Sequence, residues 1–201
     1  MKRRSLTLLL SAFTLTLAAG AATLAGAGAA DTRPAGTAAV SRGEYLVRFG
    51  LCHDCHTPLK IGARGPEPDL ARALSGHPSG VALPDAPAPA GPWLWGGAAT
   101  NTAFWGPWGV SFTANLTPDE ETGLGNWSEE QFVMALRTGR HEGKGRPILP
   151  PMPYQYVSSL SDEDLRAVFA YLRSLPPVHN KVPAPIDPAE EPAPATAEPS
   201  R

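Results

Sequence analysis

The hydrophobic pattern divides the chain into stretches of very different character. Leu6–Leu17 is a largely apolar run behind the basic Lys2-Arg3-Arg4, and small residues continue from it to Ala30. Three later stretches show helical spacing instead. Leu165, Val168, Phe169 and Leu172 stand at i, i+3, i+4 and i+7, the spacing of one buried helix face. Ser161-Asp162-Glu163-Asp164 opens that helix and Pro176-Pro177 ends it. Ser128-Glu129-Glu130-Gln131 has the form of a capping box, in which the serine and the residue three positions on satisfy each other's free backbone N–H groups. It predicts a helix carrying Phe132, Val133 and Leu136 and closing near Gly139. Ser41-Arg42-Gly43-Glu44 has the same form and predicts a helix through Tyr45, Leu46 and Phe49 that stops at Gly50. Over residues 57–111 no period holds. That stretch is rich in Gly and Pro and contains Trp93, Trp95, Trp105 and Trp108. It is expected to be irregular, ordered by burial of its aromatic rings, with Gly109–Phe112 at most a short strand.

Charge and composition sharpen the two ends. A basic start, an apolar stretch and a run of small residues form a secretory signal peptide, here residues 1–30, with Gly28 and Ala30 at the −3 and −1 positions. Gly26/Gly28 and Ala27/Ala29 are close alternatives. A retained membrane anchor is the competing reading, and the Ala and Gly content after Leu17 makes it a weak span. Taking the three bases of that segment from 17 leaves 14 against 19 acids, a net charge of −5 for the remainder. No basic patch points to nucleic acid. Residues 31–40 read as a flexible leader and 41–178 as one folded domain. Residues 179–201, mostly Pro, Ala and Glu from Val182 on, offer too little apolar surface to offset the entropy of ordering and read as a disordered tail.

The two cysteines of the chain stand in Cys52-His53-Asp54-Cys55-His56. C-x-x-C-H is the attachment signature of c-type haem. Two thiols at this spacing can each add to a vinyl group of one porphyrin, and the next residue, His56, is then held beneath the ring as an iron ligand. A structural zinc site usually needs four protein ligands, and no second cysteine pair exists to supply them. A thioredoxin-like pair is expected near a βαβ pattern, and none is visible. One motif predicts one covalent haem c. Export agrees with this, because c-type haem is attached outside the bacterial cytoplasm.

A helix just before C-x-x-C-H, a later Met in a Pro-rich loop and a C-terminal helix with an aromatic together resemble the monohaem class I c-type cytochromes. The resemblance implies an all-α fold in which the first and last helices cross closely, a glycine on one receiving an aromatic from the other. Gly43 and Tyr171 match those positions, with Val47 and Val168 beside them. The long insertion 57–111, between the haem motif and the Met loop, departs from the small members of the family. Asn115-Leu116-Thr117-Pro118-Asp119 and Gly125-Asn126-Trp127-Ser128 are similar to the cytochrome c subunits and domains serving periplasmic dehydrogenases.

The resemblance also implies a sixth iron ligand. Met152 lies in Leu149-Pro150-Pro151-Met152-Pro153-Tyr154, the Pro-Met-Pro context of the family's axial Met. Its prolines fix φ and stiffen the loop that presents the sulfur. Met134, inside the second helix, is expected to pack. His77, His141 and His179 are the remaining candidates, each expected to be an exposed loop histidine. Arg146, and after it Arg140, are candidate partners of the haem propionates, with Asn115 and Trp127 as further donors; Tyr154 is expected to pack on the ring.

Ligation by His56 and Met152 fills both axial positions, and a thioether favours ferrous iron and raises the potential. The implied function is a periplasmic one-electron carrier, not an enzyme, between a dehydrogenase or other donor and the respiratory chain. Its partners are redox proteins (a dehydrogenase, an oxidase or another cytochrome), with membrane contact only through a partner or a retained signal anchor. Two alternatives stay open. One is a peroxidase-like haem enzyme or sensor with an open or displaceable sixth site; the other is a subunit permanently bound to a dehydrogenase.

Overall fold

Gly43 decides how the first and last helices meet. The computed structural model describes residues 35–86, 92 and 94–188; the expected signal segment 1–30 and residues 189–201 of the expected tail lie outside them. Helix α1 (Ala35–Phe49) crosses helix α5 (Asp162–Arg173) so closely that a Cβ on Gly43 would stand 1.9 Å from the Ala167 carbonyl oxygen and 2.8 Å from Tyr171 Cβ. Only a residue without a side chain permits that approach. The implied pairing of Gly43 with Tyr171 is therefore present. Leu46 and Val47 of α1 join Leu165, Val168, Phe169 and Leu172 of α5 in one apolar cluster, and Arg42 Nε donates to Asp164 Oδ1 at 2.8 Å along its edge.

Replacing Gly43 by Ala is expected to lower the unfolding free energy by about 1–3 kcal/mol, since the methyl forces the helices apart. Gly36→Ala on the same helix meets nothing within 4 Å and should be neutral or stabilising, by up to about 1 kcal/mol. Denaturant midpoints read by circular dichroism decide it. Equal shifts for the two variants would count against the close crossing.

Helix α3 (Glu129–Thr138) carries the predicted capping box. Ser128 Oγ accepts from Gln131 N–H at 3.1 Å, and Gln131 Oε1 accepts from Ser128 N–H at 2.8 Å. The helix closes at Gly139, whose φ of 64° is the left-handed turn that favours glycine. Ser161 caps α5 in the same manner from its hydroxyl. The Ser41 box does not open a helix. α1 is already under way at Ala35, because alanines favour the helical state and Val40 packs against the core. Helix thus replaces the expected leader from Ala35 on.

The expectation of an all-α fold is not met. Among the described residues five helices accompany two antiparallel sheets, and the sheets occupy the stretch expected to be irregular. Strands β1 (Leu59–Gly62) and β2 (Gly65–Pro68) form a hairpin. Strands β3 (Gly96–Gly97), β4 (Ala103–Gly106) and β5 (Gly109–Phe112) form a second sheet in that order. The physical reason is aromatic cover over glycine. The Trp105 indole lies across Gly96 and the Phe104 ring across Gly97, each within about 3 Å of where a Cβ would stand. Trp108 folds back over Gly106 in the turn between β4 and β5. Trp95 meets the Phe104 ring edge-on at 6.3 Å, while Trp93 lies outside the described residues. The rings do order the segment, but by building a sheet.

Packing also continues past Val178. Val110 and Ile186 exchange two backbone hydrogen bonds, 2.8 and 2.9 Å, so the chain adds itself to the free edge of β5.

Candidate haem site

Helix α1 ends in a sharp turn. Leu51 takes a left-handed φ of 55°, rare for a residue with a branched side chain, and the five-residue helix α2 (Cys52–His56) starts at once behind it. Cys52 and Cys55 are one helical turn apart on one face. Both thiols are free. Burial pushes the Cys52 thiol up to about 11 and raises Cys55 as well, with the Asp54 carboxylate adding to the second effect. Each is therefore an uncharged thiol at neutral pH, and Cys52 packs against the apolar core.

His56 is buried, and its Nδ1–H donates to the Ala114 carbonyl at 2.8 Å. A carbonyl can only accept, so this bond fixes the tautomer and leaves the Nε2 lone pair free. Burial pushes the ring's pKa below the usual histidine value, so the ring is neutral at pH 7. A neutral, oriented imidazole with one free nitrogen is what an axial iron ligand requires.

The Ala114 carbonyl is itself held in place. Gly76 N–H donates to His56 O at 2.8 Å, and His77 N–H donates to Thr113 O at 3.0 Å. A Cβ on Gly76 would stand 2.4 Å from Thr113 O; its φ of 77° and its bare backbone let segment 74–77 press against residues 113–114. Asn180, fully buried, donates from Nδ2 to the carbonyls of Ser75 (2.7 Å) and His77 (2.8 Å), on either side of that glycine.

Met152 is half-buried and packs on the core cluster that Cys52 also touches. Met134 is 43% exposed on α3, with Gly143 close against its Cβ. His77 is not an exposed loop histidine. It is fully buried, donating from Nε2 to Val81 O and accepting at Nδ1 from the Thr102 hydroxyl, with its ring on Phe112 at 4.9 Å. His141 meets the Trp127 ring edge-on at 4.8 Å, and His179 is exposed beside Asp119.

The candidate propionate partners divide. Arg146 is exposed and among the described residues its Nη1 reaches only its neighbour's carbonyl, Pro147 O at 3.5 Å; Arg140 bonds Gly145 O within its own loop. Asn115 is buried and fully engaged: Oδ1 accepts from Thr117 and Nδ2 donates to Thr122 Oγ1 and Val178 O. It is a structural residue of its loop and has no donor left for a carboxylate. The Tyr154 ring lies over Gly139. Among the described residues five buried side-chain polar atoms lack a partner, His53 Nε2, Arg72 Nε, Ser75 Oγ, Trp108 Nε1 and Thr113 Oγ1. Trp108 directly precedes β5 and Thr113 directly follows it. An indole N–H and a hydroxyl suit a carboxylate.

Two uncharged thiols a turn apart, a histidine with one free nitrogen, an apolar wall and unpaired buried donors fit a covalently attached haem. When bound, haem supplies an iron that changes oxidation state by one electron.

No protein-family model matches the chain. It is similar to the cytochrome c subunit of a quinone-type alcohol dehydrogenase from Gluconobacter oxydans, 33% identical over 78% of this chain and 26% of that protein. It is equally similar to the gluconate 2-dehydrogenase cytochrome c subunit of Pantoea cypripedii, 33% identical over 74% and 26%. The fructose dehydrogenase cytochrome subunit of Gluconobacter japonicus is 30% identical over 66% and 20%. The chain thus spans only about a quarter of the length of these curated relatives. The similarity supports a cytochrome c kinship.

Proposed function

We propose that the chain is a periplasmic electron-transfer cytochrome that carries one haem c on Cys52 and Cys55, with His56 and Met152 as axial ligands. The observation that carries the reading is His56, neutral, buried and oriented by the Ala114 carbonyl so that Nε2 alone is free, directly behind the two thiols. The chain's residues bind and orient the group; they do no acid–base chemistry. Trp108 Nε1 and Thr113 Oγ1, buried donors without a partner among the described residues, are assigned to its carboxylates, with Arg146 at the surface and Tyr154 beside Met152. The electron donor is a dehydrogenase, in keeping with relatives named as cytochrome subunits of such enzymes. The same relatives favour a second reading, that of a subunit held in a dehydrogenase complex. Export by segment 1–30 places the chain in the periplasm; no helix among the described residues is long and apolar enough to cross a membrane.

Intact mass of the exported protein should show one haem beyond a polypeptide beginning near Asp31, retained through denaturing electrophoresis and acid-acetone extraction. Cys52→Ala with Cys55→Ala should remove it completely. A mature protein without added haem mass would end the assignment. Purification from the native source separates the two readings, since a bound subunit leaves the column with its dehydrogenase and a diffusing carrier leaves alone.

A further inference from the structure

We propose that Ser111 is a positioning residue for the iron ligand Met152, a proposal that rests on the reading of Met152 given above. The Met loop has few means of holding its shape. Pro150, Pro151 and Pro153 have no N–H to donate. Met152 N–H reaches back only to Leu149 O, at 3.3 Å. Upstream the loop is tied at Ile148, whose N–H donates to Gly139 O at 2.8 Å; downstream it runs into α4 (Tyr154–Val157). Between those points one hydrogen bond among the described residues joins the loop to the rest of the fold. Ser111 Oγ–H donates to Pro150 O at 2.6 Å, two residues before the methionine.

Ser111 is suited to that task. It is 8% exposed on β5, paired with Phe104 across the sheet. Its hydroxyl also lies 3.3 Å from Phe104 O, but it has one proton, and the shorter distance assigns that proton to Pro150. Three residues further on, Ala114 O orients His56. One short stretch, 111–114, thus governs both sides of the site, His56 through a main-chain carbonyl and the Met152 loop through a hydroxyl. A thioether is a weak ligand, so the competition between sulfur and an outside ligand depends on how firmly the loop is held. Removing the hydroxyl loosens the loop without touching the sulfur.

The test is a titration of the oxidised, haem-loaded protein with imidazole, followed by loss of the long-wavelength sulfur–iron band. Ser111→Ala should bind imidazole about three- to tenfold more tightly than wild type, the effect of one intramolecular hydrogen bond. Ser111→Thr, which keeps the hydroxyl, should restore the wild-type value. Unchanged imidazole affinity in Ser111→Ala, or a tightening that Ser111→Thr shares, overturns the proposal. A lowered denaturation midpoint with unchanged affinity does so as well, because it reports a purely structural role. Should Ser111→Ala fail to take up haem, Ser111→Cys, similar in size and a weaker donor, carries the same comparison. Absence of the band in wild type shows that Met152 is not the ligand and removes the basis of both readings. Presence of the band with no effect at Ser111 overturns this proposal alone.

Discussion

Met152→Ala is expected to abolish the weak long-wavelength band of the oxidised haem-loaded protein, open the reduced form to carbon monoxide and lower the reduction potential. The sulfur prefers ferrous iron, so its removal destabilises the reduced state relative to the oxidised one. The effect should be complete for the band and should take carbon monoxide binding from resistance to saturation, because alanine offers no donor atom. Met134→Leu is the control. Met134 is 43% exposed on α3, and the swap nearly conserves volume, so spectrum and potential should stay as in wild type. Absorption spectra of both oxidation states and a redox titration settle the matter. The opposing result is a wild-type protein that is high-spin, binds carbon monoxide and turns over peroxide. That result transfers the function to a haem enzyme.

Helices α1, α3 and α5 were legible in the sequence because their signals are local. The Ser128 box and the Ser161 cap are hydrogen bonds within four residues, and the α5 stripe is a period within one helix. Gly43 was legible only through resemblance, since nothing near it in sequence announces Ala167. The start of α1 was misread for the converse reason. A capping box is defined by residue type, and Ser41 has the right type at a place where the upstream helix already supplies the backbone bonds. Of the sheets only β5, at Gly109–Phe112, was suggested; β3 to β5 are two to four residues long, too short to establish a period of two. Their stabilising feature, Trp105 on Gly96 and Phe104 on Gly97, joins positions seven to nine apart in the chain.

The site shows the same division. Cys52, Cys55 and His56 lie within five consecutive residues, and the motif places them together without help from the fold. What makes His56 usable comes from far away: Ala114 is 58 residues on, and the glycine that lets its segment approach is Gly76. A backbone carbonyl has no signature, since every residue carries one. Gly76 at a positive φ was the one signal available, hidden in a stretch rich in glycine. Asn115 was misassigned on the same account. Its amide is a good donor by type, but the fold directs it into the loop that joins residues 115–122 to Val178.

The largest loss of stability away from the cofactor is expected at Asn180, within the segment whose composition reads as tail. The side chain is 1% exposed and engages four groups. Nδ2 donates to Ser75 O and His77 O, while Oδ1 accepts from Ser79 N–H at 3.0 Å and Arg72 Nη2 at 3.1 Å. Asn180→Ala strands all four. An unsatisfied buried donor or acceptor costs about 1–3 kcal/mol, and partial access of water at Ser79 and Arg72 limits the total to about 3–5 kcal/mol. For a folded part of this size that lowers the melting temperature by roughly 10 °C. His179→Ala, next to it but exposed, should stay within about 0.5 kcal/mol of wild type. Thermal unfolding of the haem-loaded variants measures both. The loss at Asn180 should be accompanied by a weaker hold on His56, because Ser75 and His77 flank the glycine whose N–H bonds the His56 carbonyl. If Asn180→Ala melts within 2 °C of wild type, residues 179–188 contribute no structure to the site, and the composition described them correctly.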